Sequence, residues 1–194
     1  ELASEPRHEL VVADIADEAA MQAVIARTSP RAIVHLAAES HVDRSIADAR
    51  AFIHSNVVGT HVLLECARRY WERLGAPDAD AFRFLQVSTD EVFGTLGDDG
   101  CFDEASRYAP RSPYAASKAA ADHLVRAWRT TYGFPALISF GCNSYGPRQH
   151  AEKLIPFMIA RALARQPLGV YGKGDNVREW IHVSDHARAL VAIL

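Results

Sequence analysis

Short, almost wholly apolar segments alternate with amphipathic ones along the chain, and that alternation leaves few folds open. Ala32 to Ala38 reads AIVHLAA. A strand with no polar face has to be covered on both sides, which parallel β-α-β units achieve with their crossover helices. Comparable apolar runs span Glu9 to Ile15 (ELVVADI), Ala81 to Val87, Pro135 to Phe140 and Leu168 to Tyr171. Between them lie helical patterns at Asp17 to Thr28, Ala49 to Leu74, Pro113 to Tyr132 and Lys153 to Arg165. Asp17 is a natural N-cap, Pro30 a stop, and Pro113 suits a first helical turn. The pattern predicts an α/β fold: a doubly wound parallel sheet with helices on both faces.

Chemistry concentrates between Phe84 and Lys118. Thr89, Asp90 and Glu91 follow the Ala81 to Val87 strand at its carboxyl end, where open α/β sheets bind ligands. Tyr114 and Lys118 are four residues apart, so they share a helix face and the ammonium can sit beside the phenol. A free phenol titrates near pH ~10, and a base working near neutrality needs a shift of roughly three units, on the order of 4 kcal/mol. An adjacent cation drives it that way. The bland reading makes Asp90 and Glu91 a turn and Tyr-x-x-x-Lys a chance pair on a surface helix. An acid, a base and an activatable phenol in one segment instead suggest proton and hydride transfer. Asp14-Ile15, Ala37-Ala38-Glu39-Ser40 and Ser88-Thr89 end successive expected strands on one sheet edge, where small residues let a flat ring or a pyrophosphate approach. Ala37 and Ala38 could equally pack under a helix, and Asp14 could be a solvated turn residue.

Composition removes several alternatives. The chain has 194 residues, enough for one sizeable domain. A net charge of −3 argues against neutralising a nucleic-acid backbone. Cys66, Cys101 and Cys142 are odd in number and widely spaced, so neither a disulfide framework nor a metal knuckle is expected. A reducing compartment, the cytoplasm, is the expectation. No apolar run approaches the ~20 residues of a membrane span and no signal peptide opens the sequence. The absence of a starting Met and an end inside DHARALVAIL suggest a piece of a longer enzyme.

Seven segments then carry a family resemblance: HLAAESHVDRSI from His35, NVVGTHVLLECAR from Asn56, VSTDEVFG from Val87, YAASKAAADHL from Tyr114, NSYGP from Asn143, EKLIP from Glu152 and YGKGDNVREWIHVSDHARAL from Tyr171. From about Glu9 onward the sequence resembles the dTDP-glucose 4,6-dehydratases, which are extended short-chain dehydrogenases/reductases with a Rossmann-like domain. Tyr-x-x-x-Lys and NxYGP mark only the superfamily, whereas Thr-Asp-Glu and AAESHVDRSI are more specific. The resemblance implies NAD as cofactor, a nucleotide-sugar substrate, no metal, and a homodimer paired through the 49–74 and 113–132 helices. It divides the chain into a truncated NAD-binding part, 1–166, and the start of a nucleotide-sugar part, 167–194.

Catalysis is implied for Thr89, Asp90, Glu91, Tyr114 and Lys118. Asp14 and Ile15 would meet the adenine end of NAD, with Leu36, Ala37, Ala38, Glu39, Ser40, Ser55, Tyr114, Lys118 and Ser144 lining the rest. Ser40, Thr89, Asn143, Lys153, Leu154, Gly169, Val170 and Tyr171 would meet the nucleotide sugar. Arg178 would clamp its diphosphate, a task suited to a guanidinium fork. The sequence departs from the family at three places. The glycine-rich turn for the NAD pyrophosphate and the C-terminal substrate segments are missing, Ser144 stands where a second Asn is usual, and Phe140-Gly141-Cys142 replaces a more polar run. Other readings stay open: a nucleotide-sugar 4-epimerase, against which Asp90-Glu91 argues, a 4,6-dehydratase for another nucleotide sugar, and a truncated chain that keeps the fold without catalysis.

Overall fold

The computed structural model describes residues 4–97, 100–170 and 172–194. Three strands, β1 (Ala32–His35), β2 (Arg83–Thr89) and β3 (Ala136–Gly141), form a sheet in that order. β1 and β2 run parallel, with Ala32 opposite Arg83 and His35 opposite Gln86. The two strands therefore deliver residues 36–40 and 87–91 to one edge of the sheet. Helix α1 (Glu18–Thr28) precedes β1. The crossover to β2 comprises α2 (Val42–Ala47), α3 (Arg50–Phe52), a π-helical segment (Ile53–Gly59), α4 (Thr60–Trp71) and α5 (Ala76–Ala81). A 3-10 turn (Asp90–Phe93) and helix α6 (Pro113–Tyr132) follow β2. The chain divides into two compact units, residues 1–140 and 141–194. In the second, β4 (Asn143–Tyr145) pairs in parallel with β5 (Trp180–His182), accompanied by α7 (Leu154–Leu163) and α8 (Val183–Ile193).

Helix α6 has the expected bounds because local chemistry sets both ends. Ser112 Oγ accepts the Ala115 N–H at 3.0 Å, Pro113 fills the first turn, and Gly133 closes the helix at φ 66°. Its inward face packs on the sheet. The core of the first unit is aromatic: Phe134 sits against Phe84, Trp71 and Phe82 at ring-centroid separations of 5.7, 5.8 and 6.0 Å. Met21, Ile25, Leu63, Leu64, Cys66, Ala67, Val125 and Ala136 are buried in the same cluster. A second cluster of Val92, Phe93 and Ala119, with Phe102, Tyr108 and Phe140 against it, supports the 3-10 turn after β2.

Several expected elements differ. Residues 9–15 form no strand: Leu10 and Val12 are exposed, and no strand among the described residues pairs with them. Alternating apolar residues do not suffice where the backbone lacks a hydrogen-bonding neighbour. Residues 168–170 are likewise exposed and outside any strand, following Pro167, whose carbonyl accepts from Arg161 at 2.7 Å. β1 stops at His35 rather than Ala38. The long 49–74 helix is interrupted by the π-helical segment, where the side chain of Ile15 lies so close to Gly59 that a Cβ there would be 2.6 Å from it. Apolar spacing does not distinguish five-residue from four-residue hydrogen bonding. α2, α5, β4 and β5 are additional; all are short and held by tertiary contacts rather than by a repeating pattern.

Candidate active site

Two side chains one helical turn apart on α6 grip two successive residues of β2. The Lys118 ammonium donates to the Val87 carbonyl at 2.8 Å, and Ser88 Oγ donates to Asp122 Oδ2 at 2.5 Å. The next residues along β2 and its 3-10 turn are Thr89, Asp90 and Glu91, all partly buried. Thr89 Oγ1 donates to Asp90 Oδ1 at 3.1 Å and accepts the Glu91 N–H at 3.3 Å, capping the turn that aims both carboxylates. Tyr114 is buried, hydrogen-bonded to Thr89, and its ring meets Phe52 edge-on at 6.4 Å. Its backbone N–H donates to Ser45 Oγ at 3.1 Å, which places α2 beside the start of α6. Thr89, Asp90, Glu91, Tyr114 and Lys118 thus converge at one strand end.

The segment after β1 is held by a residue that sequence reasoning missed. Asn56, fully buried in the π-helical segment, accepts the Glu39 N–H at 2.8 Å and donates to the Glu39 carbonyl at 3.0 Å. Its amide serves as the strand partner that Glu39 lacks, so that residue leaves the sheet without stranding its backbone groups. The same amide donates to Ser117 Oγ at 2.8 Å, and Ser117 donates to the Tyr114 carbonyl at 2.7 Å. Leu36, Ala37, Glu39 and Ser40 are exposed beside the Tyr114–Lys118 turn, while Ala38 and Ser55 are half-buried. Asp14 is exposed. Its Oδ1 accepts the Ala16 N–H at 2.9 Å and its Oδ2 lies 3.3 Å from His54 Nε2, so it organises the turn in which Ile15 packs on Gly59. The open backbone after β1, its small alanines and the buried ammonium one turn from a phenol fit the nicotinamide half of NAD.

Burial dominates the electrostatics. The phenol of Tyr114 is pushed above its ordinary range by burial first and then by the negative charge of Glu91, Asp90 and Asp122, with Thr89 working the other way. The expected lowering by Lys118 is therefore not present: that ammonium is engaged with Val87 and faces Asp122. Burial lowers Lys118, and Asp122 raises it. Asp122 itself is pushed up to about 6, burial outweighing Ser88, Lys118, Tyr108 and Arg126. His35, 2.9 Å from Thr60 Oγ1, is lowered to about 4 by burial and by the Lys118 charge.

A pH prediction follows from the last pair. A neutral buried imidazole stabilises the fold fully above its unfolded value near ~6.5 and loses that contribution as pH falls through about 4. Asp122 acts with the opposite sign, losing its contribution as pH rises through about 6. Between pH 4 and 6.5 wild type should gain about 3 kcal/mol relative to His35→Gln in urea unfolding, and parallel pH profiles would refute the neutral buried imidazole.

The remaining sites belong to the second unit. Asn143 Nδ2 donates to the Glu179 carbonyl at 3.3 Å, which brings it beside the segment carrying Arg178. Ser144 Oγ pairs with His186 Nδ1 at 2.8 Å. Lys153 is half-buried at the N-cap of α7, with Leu154 the first, exposed residue of that helix. Gly169, Val170 and Arg178 are exposed, and Arg178 donates to the Val177 carbonyl at 2.7 Å. Tyr171 lies outside the described residues. Among the described residues no group of three His, Cys, Asp or Glu side chains could hold a metal ion, and no helix is long and apolar enough to cross a membrane. Besides Asn56, the sequence reading missed Asp122, although its four-residue spacing after Tyr114 and Lys118 was visible. Ser45 and Tyr108 gave no local signal.

A chain from Neisseria gonorrhoeae called dTDP-glucose 4,6-dehydratase is 53% identical over all of this chain and 56% of its own length. One from Xanthomonas campestris with the same name is 55% identical, over 96% of this chain and 53% of its own. The chain therefore spans about half the length of the curated relatives it matches. The crystal structure of a double mutant of DesIV, a dTDP-glucose 4,6-dehydratase from Streptomyces venezuelae with NAD and DAU bound, superposes with a TM-score of 0.89. It is 44% identical, over 99% of this chain and 56% of that one. The family described as GDP-mannose 4,6 dehydratase matches residues 1–194 from end to end, and the chain belongs to it.

Proposed function

We propose that the chain forms the NAD-binding and catalytic part of an enzyme that dehydrates dTDP-glucose to dTDP-4-keto-6-deoxyglucose. The observation that carries this reading is the convergence of Thr89, Asp90 and Glu91 with Tyr114 and Lys118 at the carboxyl end of β2. The relatives named as dTDP-glucose 4,6-dehydratases support it. NAD+, when bound, would supply the hydride acceptor for C4 and, as NADH, the hydride for C6, with C5 taking up a proton in that last step so that the 4-keto-6-deoxy sugar and NAD+ result. Tyr114 removes the C4 hydroxyl proton, and Thr89 holds the sugar near O4. The resulting 4-ketone acidifies C5, so Glu91 takes that proton while Asp90 protonates the departing C6 hydroxyl. Adjacent carboxyls in one pocket serve opposite roles when their environments separate them.

In the same reading, residues 1–166 hold NAD through Asp14, Ile15, Leu36 to Ser40, Ser55 and Ser144. Residues 167–194 begin the nucleotide-sugar part, which uses Gly169, Val170 and Arg178 together with Asn143, Lys153 and Leu154. Exposed Ile53 and Val58 on the interrupted helix and Tyr132 on α6 support a homodimer through these helices. The free thiols of Cys66 and Cys101 suit the cytoplasm.

The test is incubation with NAD+ and dTDP-glucose in deuterated water, with UDP-glucose and GDP-mannose as controls, read by mass spectrometry. Loss of one water with deuterium retained at C5, for the dTDP sugar alone, is expected. Epimerisation at C4 without water loss would transfer the chain to the epimerases, and an unchanged sugar would remove the activity from this chain. Light scattering on the same sample at micromolar concentration should give twice the chain mass; a single-chain mass would overturn the dimer.

A further inference from the structure

Asp122 has no part in the proposed chemistry, yet it is fully buried under it. It continues the face of α6 that carries Tyr114 and Lys118, one turn further along. Ser88 Oγ donates to its Oδ2 at 2.5 Å and the Tyr108 hydroxyl donates to the same oxygen at 3.2 Å, while Oδ1 has no hydrogen-bond partner. Ser88 immediately precedes Thr89. A buried carboxylate with only two hydrogen bonds is costly unless cations face it. Lys118 and Arg126 do so, one turn before and one turn after it on α6. Arg126 also lies over the Tyr108 ring at 5.1 Å, closing the far side. Of the other ionisable groups around this cluster, His35 from β1 faces the ammonium, Asp90 and Glu91 face the phenol, and the His123 ring lies 4.8 Å from that of Tyr108.

We infer that Asp122 is a positioning residue: it pins the Tyr114–Lys118 face of α6 to the strand end carrying Thr89, Asp90 and Glu91, and it holds a counter-charge beneath Lys118. The inference rests on the reaction proposed above for its effect on turnover, but not for its effect on Lys118. Two grips on successive β2 residues, from Lys118 to Val87 and from Asp122 to Ser88, fix how far the phenol stands from the carboxylates. Losing the second frees α6 to shift against the strand, and about 1 Å of misplacement is enough to cost ~100-fold in rate. Losing the negative charge leaves the buried ammonium less favoured, so Lys118 gives up its proton at lower pH.

The chain has three lysines, Lys118, Lys153 and Lys173, so lysine labelled with ¹³C at Cε gives three resonances to follow by NMR against pH. Asp122→Asn keeps an acceptor for Ser88 and Tyr108 but removes the charge. The Lys118 midpoint should fall by about one pH unit in this variant, with Lys153 and Lys173 unmoved. Turnover should fall about 10-fold or more at a KM within about twofold of wild type, since positioning acts on the reacting geometry rather than on substrate affinity. Asp122→Glu should recover part of the Lys118 shift. An unmoved Lys118 midpoint would overturn the counter-charge, and unchanged turnover in an active enzyme would overturn the positioning role. If wild type shows no dehydratase turnover, the reaction reading fails while the lysine titration still decides the counter-charge. Coupling is reciprocal, so Lys118→Met gives a second route should Asp122→Asn not fold. The Asp122 carboxyl, followed through ¹³C-labelled aspartate, should then titrate at higher pH than in wild type, and an unchanged midpoint would refute the pairing.

Discussion

Tyr114→Phe should lower turnover by about 10² to 10⁴-fold while leaving the fold in place. The substitution removes one oxygen. The ring keeps its edge-on contact with Phe52 at 6.4 Å, the helix keeps its Ser112 cap, and the Lys118 grip on Val87 does not involve the phenol. What disappears is a hydrogen bond with Thr89 worth about 1 kcal/mol and, in the proposed reaction, the acceptor for the C4 hydroxyl proton. Burial and three carboxylates hold this phenol above its ordinary range, so it becomes a useful base only when positive charge arrives beside it. In the proposed reaction bound NAD+ would bring such a charge, tying proton removal to the presence of the hydride acceptor. Single-turnover product formation in wild type and variant, with the melting curve as a control, measures the effect. A rate within a few-fold of wild type would take the base role away from Tyr114.

Phe134→Ala should destabilise the first unit by about 3–5 kcal/mol, a large share of the ~5–15 kcal/mol that holds a typical domain together. Phe134 is completely buried and lies within 6.0 Å, centroid to centroid, of Phe84, Trp71 and Phe82. It directly follows Gly133, the C-cap of α6, and precedes β3. Removing the ring opens a cavity between helix and sheet that rigid aromatic neighbours cannot refill without leaving their rotamers. The urea midpoint should drop with little change in slope. A loss below about 1.5 kcal/mol would mean that Trp71 or Phe82 collapses into the space.

The sequence by itself determined whatever local chemistry enforces. Ser112, Pro113 and Gly133 bound α6 whatever it packs against, and four-residue spacing then puts Tyr114 and Lys118 on one face. Asp17 starts α1 in the same way, and the Thr89-Asp90-Glu91 triplet lies at a strand end because an apolar strand precedes it. The tertiary structure decided everything that depends on a partner distant in sequence. The apolar run at 9–15 has strand periodicity but finds no strand to pair with among the described residues, and the run after Pro167 fares no better. Glu39 leaves the sheet because Asn56, 17 residues beyond it, satisfies its backbone at both ends. Tyr114 is raised rather than lowered because the fold buries it among carboxylates and turns the Lys118 ammonium toward Val87 and Asp122. Caps and periodicity involve residues a turn apart, whose geometry the backbone dictates. Burial and charge depend on which distant segments the packed core brings together, and one chain's sequence pattern carries no separate sign for that.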